Sequence, residues 1–128
     1  MKVGFIGTGG VSKKHRESIA EIDGAALTAV YDLNTESSKK AAELSGAEIC
    51  QDVDELIDKS DTVYILTPPH THREIALKTL EAGKHVMCEK PLAISLDDGR
   101  AIAKAAKSSS AKFMIAFSQR FRESYRRM

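Results

Sequence analysis

Short apolar runs that alternate with longer amphipathic segments restrict the fold of this sequence more than any other feature. Val3 to Ile6, Leu27 to Tyr31, Thr62 to Thr67, His85 to Cys88 and Lys112 to Phe117 each hold four to six residues and mostly lack strict polar alternation, with Glu48 to Cys50 as a weaker sixth run. Runs of that kind suit parallel strands covered on both faces. Between them lie segments of helical spacing. Val11, Ile19 and Ile22 share one stripe with His15, and Ser37 to Leu44 is rich in helix formers and stops before Gly46. Val53, Leu56 and Ile57 mark a short helix, and Ile75, Ala76, Leu80 and Ala82 mark another that Gly83 ends. Ser95 with Asp98 forms a capping arrangement for a helix through Ala106. A strand–helix unit repeated about five times and closed by a sixth strand predicts an α/β fold: a doubly wound parallel sheet of about six strands, of the Rossmann type, with helices on both faces.

The first strand runs straight into Gly7-Thr8-Gly9-Gly10-Val11-Ser12, a G-x-G-x-x-S turn at the entry to a helix. The chemistry accounts for the residue types. Gly7 permits a tight turn out of the strand, and Gly9 lets the main chain approach a diphosphate. Ser12 is small enough for close helix–strand packing. A diphosphate would then rest on free N–H groups at a helix N-terminus, where the helix dipole favours negative charge. Gly7, Thr8, Gly9, Gly10, Val11 and Ser12 are therefore candidate cofactor-binding residues. Twenty residues past Ser12, Asp32 closes the second strand, where a carboxylate can accept hydrogen bonds from both hydroxyls of an adenosine ribose and would repel a 2′-phosphate. Leu33, Asn34 and Thr35 follow it, with no arginine close behind, so NAD is expected in preference to NADP.

With 128 residues the chain has room for one domain and can bury a core without disulfide or metal staples. A formal charge of +1 gives no reason to expect nucleic acid or an acidic membrane as partner. Cys50 and Cys88 form no CxxC pair and lie beside apolar segments, which suits reduced, packed thiols. The start Met1-Lys2-Val3 leads directly into a strand, and no apolar run can span a bilayer. The expected location is the cytoplasm.

Two further motifs narrow the family. Thr67-Pro68-Pro69-His70-Thr71-His72 follows the fourth strand, and Ala82-Gly83-Lys84-His85-Val86-Met87-Cys88-Glu89-Lys90-Pro91 surrounds the fifth. With the glycine turn and Ala116-Phe117-Ser118-Gln119-Arg120-Phe121, the chain resembles the glucose–fructose oxidoreductase/inositol dehydrogenase (Gfo/Idh/MocA) family over nearly its whole length. That resemblance implies oxidoreductases acting mostly on sugars, cyclitols and related hydroxy compounds. Carried over by position, it implies that Thr67, Pro68 and His72 border the nicotinamide half, with Glu89 and Lys90 beside the nicotinamide ribose and the reacting carbon. The catalytic candidates are Lys90 and His72. A lysine ammonium can hydrogen-bond a substrate oxygen, stabilise developing alkoxide charge and relay its proton. Serine as third fingerprint residue and Ser118-Gln119 before Arg120 are mild departures from the family pattern.

The resemblance also implies a second, larger α+β domain that builds the substrate pocket, supplies further catalytic residues and mediates homo-oligomers. On that expectation residues 1–118 form the dinucleotide-binding domain, residues 119–128 begin the connection, and the chain is a piece of a longer enzyme. A cofactor-sensing protein of the same fold is the competing possibility, but such a sensor needs the glycine turn and Asp32, not Glu89-Lys90-Pro91. Of the remaining histidines, His15 is expected to be packed and hydrogen-bonded, His70 to face solvent, and His85 to open the fifth strand. No spacing among the four supports a metal. Arg120, Arg122, Arg126 and Arg127, with Phe121, Glu123 and Tyr125 among them, fit an exposed helix face rather than a nucleic-acid surface.

Overall fold

A computed structural model describes residues 1–126. Six parallel strands form one sheet: β1 (Lys2–Ile6), β2 (Ala26–Tyr31), β3 (Glu48–Ile49), β4 (Thr62–Ile65), β5 (His85–Cys88) and β6 (Phe113–Ile115). Their order is β3-β2-β1-β4-β5-β6. Helices α1 (Ser12–Ala20), α2 (Thr35–Ser45), α3 (Val53–Lys59), α4 (His72–Glu81) and α5 (Leu96–Ser108) connect them, and α6 (Glu123–Arg126) follows a 3-10 turn at Ser118–Phe121. The expected doubly wound architecture is the one observed. No described helix is long and apolar enough to cross a membrane.

The core divides by sheet face. Val3, Phe5, Leu27 and Val30 meet Ile19 of α1 and Ala41 of α2 on one side. On the other, Ile6, Val63, Ile65, Val86 and Cys88 meet Leu56, Ile75, Leu80 and Ile102 of α3, α4 and α5. Helix ends follow local chemistry. The Asn34 side chain accepts the N–H groups of Glu36 and Ser37, and Asp52 accepts that of Glu55. Ser95 accepts the Asp98 N–H at 3.1 Å while its hydroxyl donates to the Asp98 carboxylate at 2.7 Å, the capping arrangement read from the sequence.

Some boundaries differ from the periodicity. β4 stops at Ile65 rather than Thr67: the Leu66 N–H still reaches the Ile6 carbonyl at 2.8 Å, but Pro68 has no N–H to offer and turns the chain away. The stripe on α1 is also narrower than expected. Ile19 is buried, whereas Val11 and Ile22 flank the helix at 38% and 49% exposure. Both cysteines are free and buried, as expected. Arg120 and Arg122 are exposed, while Arg127 and the side chains of Tyr125 and Arg126 lie outside the described residues.

The strand order matters most for function. From β1 the chain winds outward through β2 and β3, then returns across the sheet to β4 and winds the other way. The loops leaving β1 and β4 therefore diverge at the carboxyl edge and open a crevice, where ligands of such sheets bind.

Candidate dinucleotide site

The turn after β1 separates glycines that shape the chain from glycines that leave space. Gly7 has φ +93°, and a Cβ there would lie 2.8 Å and 2.9 Å from the carbonyl carbon and oxygen of Leu66. Its N–H donates to the Tyr31 carbonyl at 2.8 Å, so Gly7 is a buried structural hinge between three strands. Gly9 and Gly10 are exposed, and a Cβ on either would meet nothing within 4 Å. Neither has positive φ. Packing of the protein gives no reason for two glycines here; an approaching ligand does. The N–H groups of Gly10 and Val11 have no partner among the described residues and stand at the start of α1. That is a fitting cradle for a diphosphate. Ser12 closes the turn instead of facing a ligand. Its N–H and hydroxyl both reach the Gly9 carbonyl, at 3.0 Å and 2.7 Å, and its side chain is buried.

Asp32 is tied to the glycine turn in a way that the sequence does not reveal. Its Oδ2 accepts the Thr8 N–H at 2.7 Å and the Thr8 hydroxyl at 3.1 Å, and its Oδ1 accepts the Asn34 N–H at 2.8 Å. A carboxylate offers about four acceptor positions. One remains, on Oδ1, so the carboxylate has room for one ribose hydroxyl rather than the expected pair while Thr8 keeps its contacts. Thr8 in turn is buried and supports the turn through Asp32, with no free donor of its own.

Around Asp32 a cleft of about 800 Å³ runs between the ends of β1, β2 and β4. Leu33, Val53 and Ile75 give the cleft an apolar lining beside the carboxylate, which His70 and Thr71 extend. Leu33 is 90% exposed, a bare leucine next to an acidic strand end. The sequence marks Val53 and Ile75 only as helix positions and His70 as solvent-facing, and nothing in it joins them to Asp32. Such dimensions suit a small flat ligand.

A second cleft, of about 610 Å³, continues past the turn across the ends of β5 and β6. Leu66 and Thr67 border both clefts, with Gly9 lining the first and Val11 the second. Lys90 lines this second space together with Glu89, Met87 and Phe117. Lys90 is exposed and directly follows β5; the Lys90–Pro91 peptide is cis. The Thr67 hydroxyl is engaged by that of Thr71 at 2.6 Å, which itself donates to the Pro68 carbonyl at 2.8 Å.

His72 does not belong to the site surface, contrary to the catalytic and cofactor-binding role expected for it. It is 0% exposed. Its Nε2 lies 2.7 Å from the Thr67 carbonyl and its Nδ1 3.1 Å from the Leu92 carbonyl. The first turn of α4 points the ring inward, where it links two loops and cannot touch substrate. His15, expected to be packed, is so: its ring meets Tyr64 edge-on at 5.5 Å and its Nε2 is 2.8 Å from Glu89 Oε1. His70 is exposed, and His85 opens β5, its Nδ1 accepting the Lys112 N–H at 3.0 Å.

An acidic strand end, an open cradle at a helix start and an exposed lysine thus lie at the carboxyl edge of one sheet, around two adjoining clefts. Comparison with known proteins gives the family. Glucose-6-phosphate 3-dehydrogenase of Bacillus subtilis is 36% identical over 120 residues, covering 94% of this chain and 34% of that protein. A scyllo-inositol 2-dehydrogenase (NADP(+)) of the same organism is 32% identical over 131 residues, covering 100% of this chain and 40% of its own length. The crystal structure of scyllo-inositol dehydrogenase from Lactobacillus casei, with bound cofactor NAD(H) and scyllo-inositol, matches with a TM-score of 0.92 at 30% identity, over 99% of this chain and 39% of that one. The chain thus spans little more than a third of the length of these relatives. Residues 1–117 match the family described as oxidoreductase family, NAD-binding Rossmann fold. With the cradle, the strand-end carboxylate and the sheet order all in accord, this chain belongs to the Gfo/Idh/MocA oxidoreductase family, as its NAD-binding Rossmann domain.

Proposed function

We propose that this chain is the cofactor domain of an NAD-dependent oxidoreductase that interconverts a secondary alcohol of a sugar, cyclitol or related compound and its ketone. The observation that carries the proposal is the pair of adjoining clefts that share Leu66 and Thr67, one lined by Asp32 and Gly9, the other by Val11 and the exposed Lys90. Asp32 receives one adenosine ribose hydroxyl on its remaining acceptor position and repels a 2′-phosphate. The open main chain at Gly10 and Val11 donates to the diphosphate. Bound nicotinamide supplies the acceptor for hydride from the alcohol carbon. Lys90 hydrogen-bonds the alcohol oxygen, holds negative charge as it develops and passes the proton towards solvent. A second domain following residue 118 provides the opposite wall of the substrate space and the surface for homo-oligomers.

Titration calorimetry with NADH and NADPH tests the cofactor half. One hydrogen bond to a charged acceptor contributes about 1.5–3 kcal/mol, so NADH should bind at least about tenfold more tightly. Equal or tighter NADPH binding overturns the preference. Hydride transfer needs the reacting carbon held about 3–3.5 Å from the nicotinamide, away from water. These 128 residues leave Lys90 open to solvent, so on their own they should bind NADH and turn over no polyol, sugar or hydroxy acid. Clear turnover by them would refute the proposed division of labour.

A further inference from the structure

Glu89 carries a carboxylate that is only 14% exposed, between the last residue of β5 and Lys90. Both its oxygens are held. Oε1 lies 2.8 Å from His15 Nε2, and Oε2 accepts the Lys90 main-chain N–H at 3.0 Å. The Glu89 N–H donates to the Ile65 carbonyl at 2.9 Å, extending the sheet by one bond beyond β5. His15 itself has little freedom. Its ring stands edge-on to Phe5 and Tyr64, with interplanar angles of 81° and 86°, and those two rings stack on each other at 5.3 Å between centroids. His15 is also one turn along the helix whose start forms the diphosphate cradle.

We propose that His15 is a positioning residue for Lys90: packed edge-on against the stacked rings of Phe5 and Tyr64, it holds the Glu89 carboxylate, which in turn holds the Lys90 main chain. Helix α1 and the lysine segment are thereby set as one piece. The physical reason is rotational. A glutamate side chain without the imidazole has several open rotamers, and those that swing the carboxylate into solvent lose the bond to its neighbour's N–H. A donor on Oε1 selects against them, and a hydrogen bond to a carboxylate is strong enough to do so. A site whose supporting side chains are fixed holds its reacting group more closely than one left to solvent. The significance for the reaction rests on Lys90 acting as the acid–base group; the link itself does not.

The test uses the 128-residue chain labelled with ¹⁵N and reads the exchange of the Lys90 amide with water by magnetisation-transfer NMR. His15→Phe keeps a ring against Phe5 and Tyr64 but removes the nitrogen. Lys90 amide exchange should then quicken about tenfold, with the amides of Val63 and Val86 unchanged. His15→Gln restores a donor and should return exchange to within about threefold of the parent chain. Should His15→Phe not fold, Glu89→Ala removes the acceptor and should quicken Lys90 exchange to the same degree. Exchange unchanged within twofold in the folded variant, or no recovery with His15→Gln, overturns the proposal. NADH titration of the parent chain keeps the two ideas apart. Loss of NADH binding refutes the cofactor assignment, whereas a chain that binds NADH yet shows no change at Lys90 refutes the role of His15 alone.

Discussion

Gly7 and Gly9 sit two residues apart in one motif, and the structure predicts opposite consequences for replacing them. In Gly7→Ala the new methyl meets main-chain atoms of Leu66 and Thr67 at 2.8–3.0 Å, in a conformation at φ +93° that alanine avoids. The conformation alone costs about 1–2 kcal/mol. Main chain at the end of β4 cannot withdraw without disturbing its bond to β1, so the contact raises the total to roughly 2–4 kcal/mol. At about 2.1 cal/mol/K per residue, that lowers Tm by roughly 7–15 °C. In Gly9→Val the side chain enters open space from an ordinary conformation, and the unfolded chain loses freedom worth about 0.4–1 kcal/mol. Its Tm should stay within about 4 °C of the parent. NADH binding should nevertheless fall below detection, because the branched side chain fills the volume where a diphosphate meets the main chain. Circular dichroism melts and calorimetric NADH titrations, run on both variants, give the answer. Parent-like NADH affinity in folded Gly9→Val, or a parent-like melt for Gly7→Ala, would show that the space and the strain have been assigned to the wrong glycines.

Asp32→Ala should narrow the NADH–NADPH affinity gap to about threefold or less, and should also destabilise the chain by about 1–3 kcal/mol as Thr8 and Asn34 lose their acceptor; an undiminished gap in paired titrations argues against the ribose assignment. In the intact enzyme, Lys90→Ala should lower kcat roughly a hundredfold with cofactor Kd little changed, and a kcat within threefold of the parent removes Lys90 from the chemistry. Burial pushes the Cys88 thiol up to about 12, with Glu89 adding to the shift. Since the unfolded thiol releases its proton from about pH 9 while the folded one retains it, this contribution is complete below pH 9 and fades as pH rises towards 12. Thiol-reagent labelling at pH 8 should therefore be slow in the native chain and rapid in urea for both Cys88 and Cys50; fast native labelling would contradict their burial.

Much of this protein was decided by local pattern. Period and turn chemistry are short-range properties, so the six strands, the helix stops and the Ser95–Asp98 cap were legible from residues next to one another in the chain. The glycine turn at the end of β1 and the acidic end of β2 were legible for the same reason: each is a strand terminus followed by a characteristic few residues. Tertiary structure decided which of those residues remain free. Asp32 spends three of its acceptor positions on Thr8 and Asn34, and Ser12 spends its donors on Gly9, because the folded turn brings unsatisfied polar groups together and they pair. His72 carries a motif position that suggests contact with the site, yet the pitch of α4 turns it inward to two carbonyls. The apolar notch of Leu33, Val53 and Ile75 gathers residues from three separate segments, and the His15–Glu89 link joins positions 74 residues apart. No periodicity carries such pairings. They depend on how a doubly wound sheet reverses direction between β1 and β4, and on which side chains are left facing the opening once the core has taken its share.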